Sequence, residues 1–143
     1  MITAIDTSVL IDVFGADPKF GAASAHALRL CLNEGAVVAG AVVWSETRAA
    51  FPEDDEFLHA MQAAGIGFSP TTQEAATLAG VTWQKYRASG GQRLRVIADF
   101  LIGAHAAAQC DRLLTRDRGY YRKYFQRLVI VDPSNRSAGE REK

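Results

Sequence analysis

Short apolar runs alternate along the chain with longer segments in which apolar positions recur every three or four residues. The apolar runs cover residues 2–5, 36–39, 66–68, 113–114 and 128–131. The helical segments cover residues 8–14, 20–34, 41–51, a stretch that opens at Pro52, 72–88, 96–109 and a turn or short helix at 120–125. Strands that alternate with helices predict an α/β fold, in which a parallel sheet carries helices on both faces.

Three helix boundaries have recognisable signals. Gly35 is placed to stop the second helix. Pro52 and the acidic run 53–56 are typical of a helix start, where the helix dipole favours negative charge, so we interpret this run as solvated rather than as a metal site. Thr71 and Glu74 have the spacing of a capping box and predict a helix that begins at about Thr72.

A chain of 143 residues with 48% hydrophobic content suits a single packed domain. We assign residues 1–133 to this domain and expect the polar, charged stretch 134–143 to be a flexible tail. The chain shows no basic leader and no apolar run near the roughly 18 residues that a bilayer requires, which predicts a soluble, cytoplasmic protein. Cys31 and Cys110 lie in apolar helical patterns and are predicted to be reduced core thiols.

The net charge of zero conceals two regions of opposite charge. Residues 1–83 carry ten acidic and three basic side chains, whereas residues 84–127 carry ten basic and three acidic ones. The basic region is compatible with a polyanionic ligand, although solvated surface arginines are common enough to make this indication weak on its own.

Four carboxylates occupy related places in the predicted fold. Asp6 and Asp117 directly follow strands, Glu46 lies about one helical turn after the second strand, and Asp99 lies near a helix start between strands. Because parallel strands end at one edge of a sheet, these side chains could converge there. Convergent carboxylates repel one another unless they share a proton or bind a cation. Oxygen ligands favour Mg²⁺ or Mn²⁺, which can activate water and neutralise charge on a phosphodiester.

Each of these acids also has an ordinary structural interpretation. Asp6 could cap the first helix, Glu46 could pair with Arg48 or Arg95, and Asp117 could form a turn. These interpretations are the better ones for any single acid taken alone. Their common placement is what favours a shared site.

Asp99 is harder to explain as an ordinary structural residue. It has mainly apolar neighbours in sequence, so its helix must turn the carboxylate towards a polar crevice.

The other acids and the histidines are assigned to the structure or to the surface. Three further acids lack a comparable context and are expected at the surface or in turns: Asp12, Asp111 and Asp132. The histidines lie on separate helical patterns and are expected to be structural rather than ligands or general bases: His26, His59 and His105.

The four acids are embedded in motifs that match a known family. The motifs are Asp-Thr-Ser-Val-Leu-Ile-Asp at 6–12, Trp-Ser-Glu at 44–46, Ala-Asp-Phe-Leu-Ile-Gly-Ala-His-Ala at 98–106 and Leu-Leu-Thr-Arg-Asp-Arg-Gly-Tyr at 113–120. Together, over residues 2–133, they resemble the PIN domain and, within it, the VapC toxins of bacterial and archaeal toxin–antitoxin modules.

This resemblance implies a three-layer α/β/α fold with a five-stranded parallel sheet. It implies a metal-dependent endoribonuclease that holds Mg²⁺ or Mn²⁺ through Asp6, Glu46, Asp99 and Asp117. It also implies an RNA substrate, a homodimer and inhibition by a VapB-like antitoxin. Ser8 and Thr115 match the family's hydroxyls that orient the carboxylates or their waters. Arg118 and Gly119 follow Asp117, where the family sometimes has a further ligand, so no fifth ligand is expected here.

Basic residues near the predicted Asp99 and Asp117 ends of the sheet are candidates for binding RNA phosphates. Seven basic residues are expected near these ends: the main candidates Arg93, Arg95, Arg116 and Arg118, and also Arg112, Arg122 and Lys123. Tyr120, Tyr121 or Tyr124 could stack on an unpaired base. The alternative for any one of these cations is that it is solvated or pairs with the acidic region.

Two other functions remain open from the sequence. The chain could be an RNA-binding or partner-binding module that kept the sheet without turnover, although the complete set of four acids argues against this. It could also be an aspartyl phosphotransferase with Asp6 as nucleophile, but such enzymes place a second aspartate two residues later, where this chain has Ser8.

Overall fold

The computed structural model describes residues 1–90 and 96–134, with every side chain in those ranges except that of Arg118. Arg93, Arg95 and residues 135–143, which form most of the predicted tail, lie outside the described residues. The strands are β1 (Ile2–Ile5), β2 (Ala36–Gly40), β3 (Ile66–Ser69), β4 (Arg112–Leu114) and β5 (Val129–Val131). The helices are α1 (Thr7–Phe14), α2 (Gly21–Glu34), α3 (Ala41–Arg48), α4 (Asp54–Ala63), α5 (Gln73–Ala88), α6 (Ile97–Gln109) and α7 (Arg118–Tyr124).

The strands form one five-stranded sheet in the order β3-β2-β1-β4-β5, and every pairing is parallel. In the central strand, Ala4 lies opposite Val38 on one side and Leu113 on the other. The predicted α/β fold with a parallel sheet is therefore confirmed. Since all five strands run the same way, their carboxyl ends form one edge of the sheet, with the end of β1 at its centre.

Helices enclose this sheet and complete a three-layer α/β/α architecture. The helix α1 packs against α2 and α3, and α5 packs against α6. A parallel sheet needs such cover on both faces, which is why its strands are mainly apolar. Ile5, Leu113 and Leu114 are at most 1% exposed, and they pack in one core with Phe57 and Phe100. None of the helices in the described part of the chain has the length and apolarity needed to cross a membrane.

The start of α5 differs by one residue from the predicted capping box. Thr72, not Thr71, is the N-cap, and its hydroxyl accepts a hydrogen bond from the Ala75 amide at 3.1 Å. Gln109 explains the shift, because its side-chain oxygen accepts a hydrogen bond from the Thr72 amide at 3.0 Å. A contact from the end of α6 thus selects the cap, and spacing in the sequence contains no information about it.

The helix α3 ends at Arg48, three residues before the predicted end. The Arg48 guanidinium donates to the Phe51 carbonyl and to the Asp54 carboxylate, both at 2.7 Å, and so fixes a turn between α3 and α4. Asp54, Asp55 and Glu56 occupy the first turn of α4 and are exposed. The interpretation of the acidic run as a solvated helix start is confirmed.

His105 and Cys31 are core residues, as predicted. His105 is 3% exposed, and its Nε2 lies 2.9 Å from the Ser69 hydroxyl. Its ring packs so closely on Gly40 that a Cβ there would lie 3.0 Å from Nδ1. Cys31 is a buried free thiol, whereas Cys110 is only half-buried, at the end of α6.

The burial of His105 predicts a pH dependence of stability. Burial lowers the pKa of His105 below its ordinary value of 6.5. Below pH 6.5 the unfolded chain therefore binds a proton that the folded protein excludes, so stability present above that pH is lost as the pH falls towards the lower pKa of the folded state. We expect His105→Gln to reduce the fall in unfolding free energy between pH 7.5 and pH 5, measured by urea titration.

The exposed His59 on α4 provides the matched control. His59→Gln should leave the pH dependence of the wild type unchanged. An equal pH dependence in the wild type and in His105→Gln would contradict the burial effect.

Candidate active site

Asp6 lies at the centre of the carboxyl edge, directly after β1. The residue is 7% exposed. Its backbone amide donates to the Leu114 carbonyl at 2.9 Å, which extends the pairing of β1 with β4. Its Oδ2 accepts a hydrogen bond from the Thr115 hydroxyl at 2.7 Å, while the Ser8 hydroxyl lies 3.5 Å away, beyond the usual range of an O–H···O bond.

The environment of Asp6 disfavours its ionised form. Burial is the largest effect that raises the pKa of this carboxyl, and the charges of Glu46 and Asp117 raise it further. Hydrogen bonds from Thr115 and from the Thr7 backbone oppose the rise. Two of the predicted acids are thus near enough to Asp6 for their charges to act on it.

Thr115 links two of the acids. Its side chain is fully buried, and its hydroxyl donates to Asp6 while it accepts a hydrogen bond from the Asp117 amide at 3.0 Å. Because β4 ends at Leu114, the chain leaves the sheet through Thr115 and reaches Asp117, the N-cap of α7. One side chain therefore fixes both the Asp6 carboxylate and the backbone at Asp117.

Glu46 projects from α3 and is exposed. Its Oε1 accepts a hydrogen bond from the Thr7 hydroxyl at 2.8 Å. An ion pair of Glu46 with Arg48 was one structural alternative, but Arg48 pairs with Asp54. The other alternative, an ion pair with Arg95, involves a residue outside the described ranges. Sequence reasoning did not single out Thr7, although a hydroxyl directly after the strand-ending acid was an available signal.

Asp99 and Asp117 complete the set from two other elements. Asp99 lies in the first turn of α6, is half-buried, and accepts a hydrogen bond from the Val96 amide at 3.1 Å through Oδ2. Burial chiefly, and then the charges of Asp6, Asp99 and Asp117, raise the pKa of the Tyr121 phenol. Three of the acids therefore act on one buried residue, which places them around the same part of the molecule.

These acids have the chemistry of a site for a hard cation. Across residues 1–90 and 96–134, no three side chains of His, Cys, Asp or Glu are close enough together to hold an ion as they stand. The oxygen-only donors, the buried Asp6 and the repulsion from its acidic neighbours nevertheless fit a divalent ion that keeps several waters, since Mg²⁺ needs only one or two direct carboxylate ligands. The residues that would hold it are Asp6, Glu46, Asp99 and Asp117.

Asp12 is a buried residue of α1, so its assignment to the surface or a turn was wrong. It is 3% exposed and accepts hydrogen bonds from Ser24 and from Arg116. Arg116, predicted as an RNA contact, thus gives two of its nitrogens to Asp12; its role towards RNA stays a prediction. Asp132 is also buried, but it accepts hydrogen bonds from the Ser134 amide and hydroxyl and so forms the expected turn.

Two of the expected basic neighbours of the site lie elsewhere. Arg112 begins β4 at the opposite edge of the sheet, where it contacts Thr3 and Glu34. Lys123 lines a cavity of about 590 Å³ with Cys110 and other residues that precede β4 and β5. The placement of both residues near the acids was therefore wrong, because β4 is short and its two ends were not distinguished.

The three tyrosines proposed for base stacking pack in the core. Tyr120 and Tyr121 are 7% and 2% exposed, and Tyr124 is half-buried. Tyr120 and Tyr124 make edge contacts with the Phe100 ring, and Tyr124 also contacts the rings of Tyr120 and Tyr86. Their rings are used for packing, so Tyr120 and Tyr121 are not available to an RNA base.

Comparison with known proteins gives a family and a set of related folds. The PIN domain family model matches residues 3–126. Comparison with curated proteins gives no significant match. Among solved structures, the fold is similar to VapBC2 from Rickettsia felis bound to a DNA fragment from its promoter, with a TM-score of 0.71 and 14% identity over 92% of this chain and 98% of that one.

Two further structures show the same likeness. VapBC-1 from nontypeable Haemophilus influenzae gives a TM-score of 0.70 and 14% identity, covering 94% of this chain and all of the other, 100%. FitAcB from Neisseria gonorrhoeae gives a TM-score of 0.65 and 20% identity, covering 93% and 98%. At such identities the likeness establishes the fold, and each match spans nearly the whole of both chains.

Proposed function

Because the chain belongs to the PIN domain family, we propose that it is a metal-dependent endoribonuclease. The observation that carries this proposal is the buried Asp6 carboxylate at the centre of the carboxyl edge, held by Thr115 and acted on by the charges of Glu46 and Asp117. An acid kept in an environment that disfavours its charge is typical of a functional site. The carboxyl edge is also where ligands bind in open α/β sheets.

The four acids would hold Mg²⁺ or Mn²⁺, and the ion would activate water and neutralise charge on the scissile phosphodiester. The protein's part is to position oxygen atoms. Thr115 orients the Asp6 carboxylate, and Thr7 orients Glu46 from the adjacent turn of α1. Asp99 stands at the start of α6, where the hydrogen bond from Val96 fixes its carboxylate.

We further propose that this nuclease is the toxin of a VapBC-type module and acts in the cytoplasm. Two of the similar solved structures, from Rickettsia felis and Haemophilus influenzae, are of VapBC proteins, which supports a VapB-like antitoxin as partner. A homodimer is part of the same proposal. Arg93, Arg95, Arg116 and Arg118 remain the candidates for binding RNA phosphates. Of these, only the Arg116 side chain lies within the described residues.

The test is cleavage of a panel of structured RNAs by purified protein with Mg²⁺, with Mn²⁺ and with EDTA. The proposal predicts cuts at defined sites that disappear with EDTA and in Asp99→Asn. Cleavage that persists in both would indicate a contaminant or another site. RNA binding without cleavage of any RNA, under all ion conditions, would instead favour a binding module without turnover.

The Thr115 hydroxyl should matter for activity more than for folding. Thr115→Val keeps the side-chain volume but removes the hydrogen bonds to Asp6 and from the Asp117 amide. Loss of a group that orients metal ligands typically reduces metal affinity or activity about 10- to 100-fold. We expect a loss of this size in the cleavage rate, measured at saturating and at limiting Mg²⁺.

Thr82 provides a matched control, because it is also buried and its hydroxyl donates only to the Leu78 carbonyl within α5. Thr82→Val should cleave RNA at the wild-type rate. Equal rates in the two variants would show that Thr115 does not position the acids.

A further inference from the structure

The short segment between β4 and α7 is held by a partly buried ion pair with α1. Arg116 donates to Asp12 through Nε at 2.6 Å and through Nη2 at 3.1 Å, which makes the contact bidentate. The Asp12 side chain is 4% exposed and the Arg116 side chain 30%. Asp12 also accepts a hydrogen bond from the Ser24 hydroxyl at 2.8 Å, so α1 and α2 both anchor the carboxylate.

The face of the same guanidinium is fixed as well as its edge. The centroid of the Phe20 ring lies 4.0 Å from the Arg116 guanidinium carbon, a distance typical of a cation–π contact. Phe20 is itself positioned by Asp17, which accepts a hydrogen bond from the Phe20 amide at 2.8 Å. Arg116 is therefore held in two directions, by Asp12 in the guanidinium plane and by Phe20 against its face.

Arg116 lies between Thr115 and Asp117, the two residues that connect this segment to the four acids. Thr115 donates to Asp6, and Asp117 is one of the four acids. A bidentate, charge-assisted contact fixes geometry as well as adding stability. Holding the residue between Thr115 and Asp117 restricts the backbone on both sides of it.

We infer that Asp12 is a positioning residue of the active site, acting through Arg116. The Asp12–Arg116 clamp, with Ser24 and Phe20 as its supports, fixes the turn that places Thr115 on Asp6 and Asp117 at the carboxyl edge. The inference rests on the proposed metal-dependent function for its consequence in catalysis. The structural part of the inference, that the clamp fixes this turn, does not depend on the proposed function.

The experiment measures the effect of the clamp first on the backbone without metal and then on metal affinity. In metal-free buffer, hydrogen exchange at the Asp117 amide, which donates to Thr115, should become about tenfold faster in Asp12→Asn because a charge-assisted bidentate contact is lost. The Mn²⁺ affinity, measured by EPR, should fall about tenfold in the same variant. A merely structural loss of stability would not act selectively on this amide or on the ion.

Two further variants keep the test decisive. Asp12→Asn with Arg116→Gln leaves no unpaired buried charge, so it should fold even if the single variant does not, and it should show the same two effects. Glu34→Gln is the matched control. Glu34 pairs with Arg112 at the start of β4, whereas Arg116 follows the end of β4 at the opposite edge of the sheet. Glu34→Gln should leave both the Asp117 amide and the Mn²⁺ affinity unchanged.

Unchanged exchange at Asp117 in both clamp variants would overturn the inference, whatever the ion does. Faster exchange in a protein that binds no Mn²⁺ even as wild type would uphold the clamp and count against the proposed function. Equal effects in Glu34→Gln would also overturn the inference, because they would show a general response to loss of an ion pair.

Discussion

Asp6→Asn should lower the rate of RNA cleavage by roughly a thousandfold. Electrostatic stabilisation by a metal ion contributes several kcal/mol to a transition state, and each factor of ten in rate corresponds to about 1.4 kcal/mol. The substitution keeps the size of the side chain, and the Thr115 hydroxyl can still donate to the amide oxygen. What is lost is the buried carboxylate oxygen that Asp6 would offer to the ion at the centre of the carboxyl edge.

The same substitution should leave the fold at least as stable as the wild type. The pKa of Asp6 is raised above its ordinary value of 3.8, so ionisation above that pH disfavours the folded state, and stability is lost as the pH rises through the raised pKa. An asparagine at residue 6 cannot ionise, so the folded protein no longer loses stability in this way. We expect the urea midpoint of Asp6→Asn at pH 7 to equal or exceed that of the wild type, the usual relation between stability and function at such sites.

Asp55 supplies the comparison, as an exposed acid in the first turn of α4. Asp55→Asn should cleave RNA at the wild-type rate. Full activity in Asp6→Asn would contradict the assignment of Asp6. An inactive Asp6→Asn protein with a clearly lower urea midpoint would contradict the environment described for this carboxyl.

Gly103→Ala should cause the largest loss of stability among conservative substitutions in α6. A Cβ at residue 103 would lie 2.3 Å from Cε2 and 2.7 Å from Cδ2 of Phe125. Phe125 is 6% exposed and packed in the core, so its ring has little space to move. Overpacking of this kind typically costs about 1–3 kcal/mol, and the better helix propensity of alanine recovers at most about 1 kcal/mol.

We expect a net loss of about 1–2 kcal/mol in unfolding free energy and a fall in Tm of roughly 3–8 °C, measured by urea titration and by calorimetry. Gly80 is the internal control, because it is exposed on α5 and, among the described residues, no atom outside its own helical turn lies within 4 Å of an added Cβ. Gly80→Ala should raise stability by about 0.5–1 kcal/mol. Equal stability changes in the two variants would contradict the close packing of α6 on Phe125.

The elements could be predicted from the sequence because each carries a local signal. The apolar runs at 36–39 and 66–68 correspond to β2 and β3 within one residue, and Gly35 ends α2 as expected. The order of the strands was not predictable in the same way, because it depends on pairing between segments far apart in the chain. The cap of α5 was missed for a related reason, since Gln109 selects Thr72 from another helix.

The positions of the acids followed from topology, but their partners did not. Asp6 directly follows β1 and Asp117 lies three residues after β4, so a parallel sheet brings them to one edge. The bond between Asp12 and Arg116 joins residues 104 positions apart in the chain, and no local pattern indicates it. A residue that looks like a surface acid in sequence can therefore be a buried anchor.

The tyrosines show a signal that was present and misread. Tyr120, Tyr121 and Tyr124 have the spacing of one face of a helix, which favours a core position. The intervening Arg122 and Lys123 gave the segment a basic appearance and suggested nucleic-acid binding. Periodicity was the better guide, because the hydrophobic effect acts on a face of the helix rather than on the composition of the segment.

Titration of Mn²⁺ followed by EPR asks directly whether the four acids form one site for a divalent ion. The wild type and Asp55→Asn should bind Mn²⁺ saturably, and Asp6→Asn and Asp99→Asn should each weaken binding by about tenfold or more. Weaker binding in both variants is required, because Asp6 and Asp99 come from different elements and have only the carboxyl edge of the sheet in common. Absence of saturable binding by the wild type, or equal affinity in all four proteins, would contradict a metal site built by these carboxylates.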